Sequence, residues 1–252
     1  MRLTLASWNL HRGISNGGRR DCAPFFAALE REICAPPPDL LLLQEADVDP
    51  PPHHGVLDPG RVEALTGLRH LHAGRERRLT DESHGFLGLV AYAAPDIEVE
   101  GMRLIDLPGR VPRGAVVIDA ARGGAPFRIV LTHLSLAQWL RAVQMRTLGQ
   151  HIARSDPRPV ILCGDLNEWR PWGGLALSAA IVGRRLAGPA RASFPTRRPL
   201  LPLDRVLTEP PGAVERLEVL DGPAIRRASD HRPLRARVRL GPATSSGTRR
   251  LS

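Results

Sequence analysis

Short polar clusters stand at the ends of apolar runs: Trp8-Asn9-Leu10-His11, Leu43-Gln44-Glu45, Thr132-His133-Leu134, Gly164-Asp165-Leu166-Asn167, Leu203-Asp204-Arg205 and Ser229-Asp230-His231. Each puts an oxygen or an imidazole where a buried strand would stop. A carboxylate there sits at the edge of a core, and its desolvation must be offset by a cation or by hydrogen bonds. Magnesium takes hard oxygen ligands and keeps several waters, so one or two protein carboxylates suffice to hold it. Asn, Glu, Asp and His gathered from many strand ends are what a magnesium-dependent phosphoesterase needs.

The clusters differ in how much they say. Glu45 directly follows the run Leu40-Leu41-Leu42-Leu43, so it marks the rim of a buried strand. Asp165 and Asn167 are two residues apart, and a period of two puts both side chains on one side if the extended geometry persists. Together a carboxylate and an amide can orient a water and hold a phosphate oxygen. Gly-Asp-x-Asn alone also occurs as a β-turn; after Val160-Ile161-Leu162-Cys163 it carries more weight. Asn9 by itself reads as a turn residue and Trp8 as core. The string Ser229-Asp230-His231-Arg232-Pro233-Leu234 is the most specific of the set.

These clusters need elements to carry them. Alternation predicts a strand over residues 3–8, and apolar spacing predicts a helix over 25–33, ended by Pro36-Pro37-Pro38. The four leucines predict a buried strand over 39–44. A Pro-, His- and Asp-rich loop follows over 47–60, then a short helix over 61–68. Strands are expected over 86–91, 97–105, 115–119, 127–132, 159–163, 203–207, 214–220 and 234–240. The clearest helix runs over 136–153, with Leu136, Leu140, Val143, Leu148 and Ile152 along one side; another is expected over 174–181. Many strands with few helices argue for two packed sheets. No Gly-rich phosphate loop follows the first strand, which argues against a doubly wound nucleotide fold.

In this order the clusters resemble the endonuclease/exonuclease/phosphatase superfamily, the DNase-I-like fold, and residues 193–205 look like its small bacterial members. The resemblance implies an α/β fold: a four-layer α/β/β/α sandwich with two packed mixed β-sheets flanked by helices. It implies that Glu45 is the principal metal ligand, with Asn9 and Asp230 at the same metal. Asp165 would activate the water and Asn167 bind phosphate or metal-bound water. His231 would bond the phosphate, supported by Asp204. His133 would be a second imidazole on the scissile phosphate, where the abasic-site repair branch usually has Tyr; a role in that repair is therefore put in doubt. Arg113-Gly114 matches an Arg-Gly motif that approaches phosphate, with a sheet-edge salt bridge as the equal alternative. Gly85-Phe86 stands where many relatives carry Gly-Asn.

Composition bounds the rest. A length of 252 residues suits one large domain, expected over 1–240, with a disordered Gly/Ser/Thr/Arg-rich tail over 241–252. No apolar stretch reaches the roughly 20 residues that span a bilayer. Cys22, Cys34 and Cys163 lack CxxC spacing and read as structural thiols of a reducing compartment; with no signal-peptide pattern, a cytoplasmic monomer is expected. The net charge of +9 invites a polyanion, although the basic residues are all Arg and scattered. The expected activity is hydrolysis of a phosphodiester or phosphomonoester by in-line attack of water, using magnesium or alternatively manganese. Nucleic acid is one substrate class, a lipid or small-molecule phosphate the alternative, and an inactive scaffold of the same fold the third reading.

Overall fold

The computed structural model describes residues 1–241; of the tail expected from 241 onward, residues 242–252 lie outside the described residues. The chain opens with β1 (Arg2–Asn9) and α1 (Ala23–Ala28), which runs on as a π-helical turn over Leu29–Ile33. Next come β2 (Leu40–Gln44), α2 (Pro59–Thr66), the two-residue β3 (Arg69–His70) and β4 (Val90–Ala93). The long hairpin of β5 (Ile97–Leu107) and β6 (Arg113–Arg122) leads to β7 (Ala125–His133), α3 (Gln138–Ala153) and β8 (Val160–Asp165). α4 (Ala179–Val182), β9 (Asp204–Glu209), β10 (Val214–Val219), α5 (Pro223–Ala228) and β11 (Leu234–Arg239) complete it.

Two sheets form, ordered β10-β11-β1-β2-β4-β3 and β5-β6-β7-β8-β9. Each is mixed, with a parallel pair, β1–β2 or β7–β8, among antiparallel neighbours. Their inner faces meet through Leu5, Leu42, Ile118, Ile129 and Ile161. The outer face of the first sheet is covered by α1, α2 and α5 through Phe25, Leu29, Val62 and Ile225, and that of the second by α3 and α4 through Met145, Leu148 and Val182. The architecture is the expected four-layer α/β/β/α sandwich. It explains the unbroken leucines of β2. Leu40 and Leu42 enter the core between the sheets while Leu41 and Leu43 enter the core under the helices, and a strand buried on both faces needs no polar alternation. No helix among the described residues is long and apolar enough to cross a membrane.

Several elements depart from expectation. α3 starts at Gln138, and its buried side keeps only part of the predicted stripe: Leu148 and Ile152 are buried as expected, but Leu136 and Val143 are exposed, and Arg141, Gln144 and Met145 are buried instead. Polar contacts set that face. Gln144 accepts from Ser135 N (2.9 Å) and donates to Pro108 O (2.9 Å), and Arg141 reaches the buried Glu168 at 3.3 Å. The helix expected over 174–181 shrinks to the single turn α4, because Ser178 is extended and its hydroxyl accepts from Ile181 N, so that the helix begins only after it. β4 begins later than expected, after a tight turn at Leu87-Gly88 with positive φ at both residues. α5 and β3 have no counterpart among the expected elements.

Register brings the strand ends together. β7 and β8 pair with His133 opposite Asp165, and β8 and β9 pair with Asp165 opposite Asp204. Three polar side chains thus stand abreast at one end of the second sheet. In the first sheet Asn9 pairs with Gln44, so Glu45 emerges just beyond it.

Candidate active site

The C-terminal ends of β1, β2, β7 and β8 meet the N-terminal end of β9 around a cleft of about 480 Å³. Glu45, Arg113, His133, Asp165, Asn167, Asp230 and His231 all line it. Asp204 and Asn9, the remaining residues singled out from the sequence, lie beneath that lining and are almost fully buried. All nine therefore belong to one neighbourhood.

Asp165 is at its centre. Its Oδ1 accepts from Asn167 N (2.9 Å) and its Oδ2 from Asn9 Nδ2 (3.0 Å). Two imidazoles face the same Oδ2, His133 Nε2 at 3.6 Å and His231 Nε2 at 3.7 Å. Asn167 leaves the strand geometry with φ of 50° and donates to Leu134 O at 2.9 Å; its Nδ2 lies 3.3 Å from His133 Nε2. Asn9 Oδ1 accepts from His11 N at 2.9 Å. Trp8, core as expected, ties down the loop before β11 by donating from Nε1 to His231 O (2.9 Å).

The two histidines sit in opposite electrostatic settings. His133 is pushed down to about 3, by burial first and by Arg113 and His231 after it, against the pull of Asp165; it is a neutral ring at neutral pH. Burial would push His231 down as well, but Asp204, Asp165 and Asp230 together outweigh it and hold it up at about 10. His231 Nδ1 bonds Asp204 Oδ2 at 2.9 Å, and Ser193 Oγ donates to the same oxygen at 2.5 Å. Phe194 packs on the His231 ring with centroids 4.8 Å apart. A neutral and a charged imidazole side by side separate the roles of hydrogen-bond partner and fixed positive charge.

Glu45 has φ of 50°, and burial pushes its carboxyl above the usual range while Arg12 draws it down. Its Oε2 is buried without a hydrogen-bond partner; Arg12 Nη1 approaches it to 3.2 Å, outside hydrogen-bond geometry. Asp230 is half-buried, with Oδ1 3.6 Å from His11 Nδ1. Among the described residues, Asp165, Asp204 and His231 form the one group whose potential metal-ligating atoms all lie within 4.8 Å of one another. There His231 Nδ1 and Asp204 Oδ2 already bond each other, and Glu45 stands outside that group, facing the Arg12 guanidinium.

Sequence reasoning passed over Arg12, Ser193, Phe194 and Ser229. Arg12 stood one residue past the first cluster. Ser229, whose Oγ donates to Asn9 O (2.7 Å) and accepts from His231 N (3.1 Å), lay inside the Ser-Asp-His string without a role. Ser193 and Phe194 carried no signal of their own. Gly164 has a strict requirement: its φ is 133°, and a Cβ would lie 1.9 Å from Thr132 O on the neighbouring strand. Gly164→Ala is expected to cost about 3 kcal/mol or more and to lower Tm by roughly 6–12 °C. Thermal unfolding followed by circular dichroism checks this, and an unchanged Tm would contradict the close approach of β7 and β8.

Two packed mixed sheets with acid, amide and imidazole groups at their common end define a class. The chain belongs to the Endonuclease/Exonuclease/phosphatase family, whose model matches residues 6–231. Among particular relatives, YbhP of Escherichia coli (strain K12) is 28% identical over 246 residues, covering 92% of this chain and 94% of that one. The endonuclease/exonuclease/phosphatase from Bacteroides vulgatus superposes with a TM-score of 0.72 at 14% identity, over 96% of this chain and 100% of that chain. D. rerio TDP2 complexed with a single-strand DNA product gives 0.65 at 18% identity, over 95% and 99%. At such identities the two structural likenesses speak for the fold.

Proposed function

We propose that this chain is a divalent-metal-dependent phosphoesterase that hydrolyses a phosphodiester or phosphomonoester by in-line attack of water. The observation that carries the reading is the convergence on Asp165 Oδ2 of one amide and two imidazoles, at 3.0, 3.6 and 3.7 Å. Asp165, fixed by Asn9 and by Asn167 N, orients the water and takes its proton. The water oxygen forms the new P–O bond as the bond to the leaving alcohol breaks, and the departing oxygen takes a proton from solvent. His231 supplies positive charge where charge grows on the phosphate oxygens, with its Nδ1–H anchored on Asp204. His133 and Asn167 hold a phosphate oxygen from the other side, and Arg113 adds charge at the cleft wall.

The residues present fit a hard cation. Glu45 Oε2 is a buried acceptor with no hydrogen bond, its charged neighbour Arg12 standing at 3.2 Å outside hydrogen-bond geometry. Glu45 with Asn9 and Asp230 would hold magnesium, or manganese, through oxygen atoms. When bound, the ion would supply Lewis-acid polarisation of a non-bridging oxygen and charge for the leaving oxygen.

Glu45→Gln keeps the shape and removes the charge. It is expected to weaken magnesium binding on the order of 100-fold, read by isothermal titration calorimetry, which does not depend on turnover. Equal affinity in the two proteins would remove Glu45 from the metal site. For the reaction itself, the test is magnesium-dependent hydrolysis of plasmid DNA, RNA, bis-p-nitrophenyl phosphate, inositol phosphates and phospholipids, each abolished by EDTA. Silence on all of them in the presence of metal would favour an inactive scaffold. The net charge of +9, together with the single-strand DNA product held by the D. rerio TDP2 neighbour, supports nucleic acid as one ester class. The surroundings of the cleft favour another.

A further inference from the structure

Among the described residues, every large hydrophobic side chain left exposed falls in four segments: 108–113, 134–143, 169–177 and 190–203. The topology puts all four at one end of the second sheet. They join β5 to β6, leave β7, leave β8 and enter β9, beside His133, Asp165 and Asp204. Trp139 and Trp172 are 69% and 77% exposed and Trp169 49%, while Trp8 is fully buried; Trp169 lines the cleft, Trp139 lines the hollow beside it, and Trp172 follows Trp169 in the same segment. Scattered exposed hydrophobics need no explanation, but their confinement to the segments around one opening does.

A second hollow, of about 530 Å³, lies directly beside the cleft and shares Arg113 and Leu136 with it. Its walls are Val111, Trp139, Leu140 and Val143 over Pro108 and Gly109. The volume is that of a small-molecule site, and the lining is concave and mostly aliphatic. Nucleobases stack on flat aromatic platforms; a concave aliphatic trough suits a flexible hydrocarbon chain. The charge carried by these four segments is one-sided. The four segments carry Arg110, Arg191, Arg197 and Arg198, all exposed, and contain no Asp or Glu. An apolar surface studded with Trp and flanked by Arg matches the interface of an anionic bilayer, where indole rings sit at headgroup depth and arginines meet phosphates.

We propose that this apolar groove and tryptophan rim dock the protein on an anionic phospholipid surface, with one acyl chain in the groove and the lipid's phosphate ester in the adjoining cleft. The assignment of the ester rests on the phosphoesterase reading above; the docking does not.

The test uses the full chain in EDTA, with vesicles of phosphatidylglycerol and phosphatidylcholine. Binding is read by co-sedimentation and by tryptophan emission. Wild type is expected to sediment with the vesicles and its emission to shift to the blue. Val111→Ser/Trp139→Ser, at two exposed positions outside the catalytic set, is expected to lower vesicle partitioning about tenfold or more. With magnesium restored, its hydrolysis of the soluble diester bis-p-nitrophenyl phosphate should stay within about twofold of wild type. Trp139→Phe should retain most of the binding. Wild type remaining in the supernatant, or a double variant that binds vesicles as well as wild type, overturns the proposal. So does a double variant that loses single-stranded DNA binding alone. If wild type binds vesicles but hydrolyses no ester, the docking surface stands and the phosphoesterase reading falls.

Discussion

Asp165→Asn is expected to reduce kcat about ten-thousandfold, with Tm shifted by no more than a few degrees. The substitution keeps the outline of the side chain and an oxygen that can still accept from Asn167 N, so the turn after β8 is preserved. What it removes is the one carboxylate that both imidazoles face and that Asn9 orients. An amide cannot take a proton from water, and no other carboxylate in the cleft is placed to replace it. Asp204 is occupied by His231 and Ser193, and Glu45 and Asp230 are the carboxylates assigned to the proposed cation. Turnover of bis-p-nitrophenyl phosphate at saturating magnesium is the measurement. Activity within tenfold of wild type would assign water activation elsewhere.

The sequence showed which residues could act but not how they would meet. Strand ends were legible because an apolar run such as Val160-Ile161-Leu162-Cys163 stops where the core stops, and the polar residue after it has to find a partner. The pair Asp165 and Asn167 was found through a period of two, yet their contact arises differently. Asn167 turns out of the strand and caps Asp165 with its backbone N–H, which extended geometry does not provide. The relation of Asn9 to Asp165 spans 156 residues and two sheets, and no local pattern encodes it. The buried face of α3 was misjudged for a related reason. Apolar periodicity assumes that apolar residues go inside, but here Glu168, fully buried after β8, draws Arg141 inward and leaves Leu136 and Val143 outside. That displacement helps to build the exposed rim of the cleft, so the element that defied the pattern is the one beside the site.

The His231–Asp204 pair gives a prediction whose sign is fixed by electrostatics. In the wild type, burial favours the neutral ring, and the carboxylates, Asp204 foremost, reverse it and hold His231 at about 10. A folded-state value above the unfolded one of about 6.5 means that the pair stabilises the fold fully below that pH. The contribution is then lost as pH rises through about 10. Catalysis that depends on the imidazolium should fall over the same alkaline limb. In Asp204→Asn the largest upward influence is gone and burial remains, so the limb is expected to move down into the neutral region. At pH 8 kcat should drop on the order of 100- to 1000-fold, with the deficit shrinking toward pH 5. Were Asp204 merely structural, the loss would be equal at every pH. Because the two residues act as one unit, Asp204→Asn/His231→Gln should be little worse than His231→Gln alone. Additive losses, or an unmoved alkaline limb, would mean that the positive charge needed at the phosphate comes from another group, with Arg113 on the cleft wall the next to test.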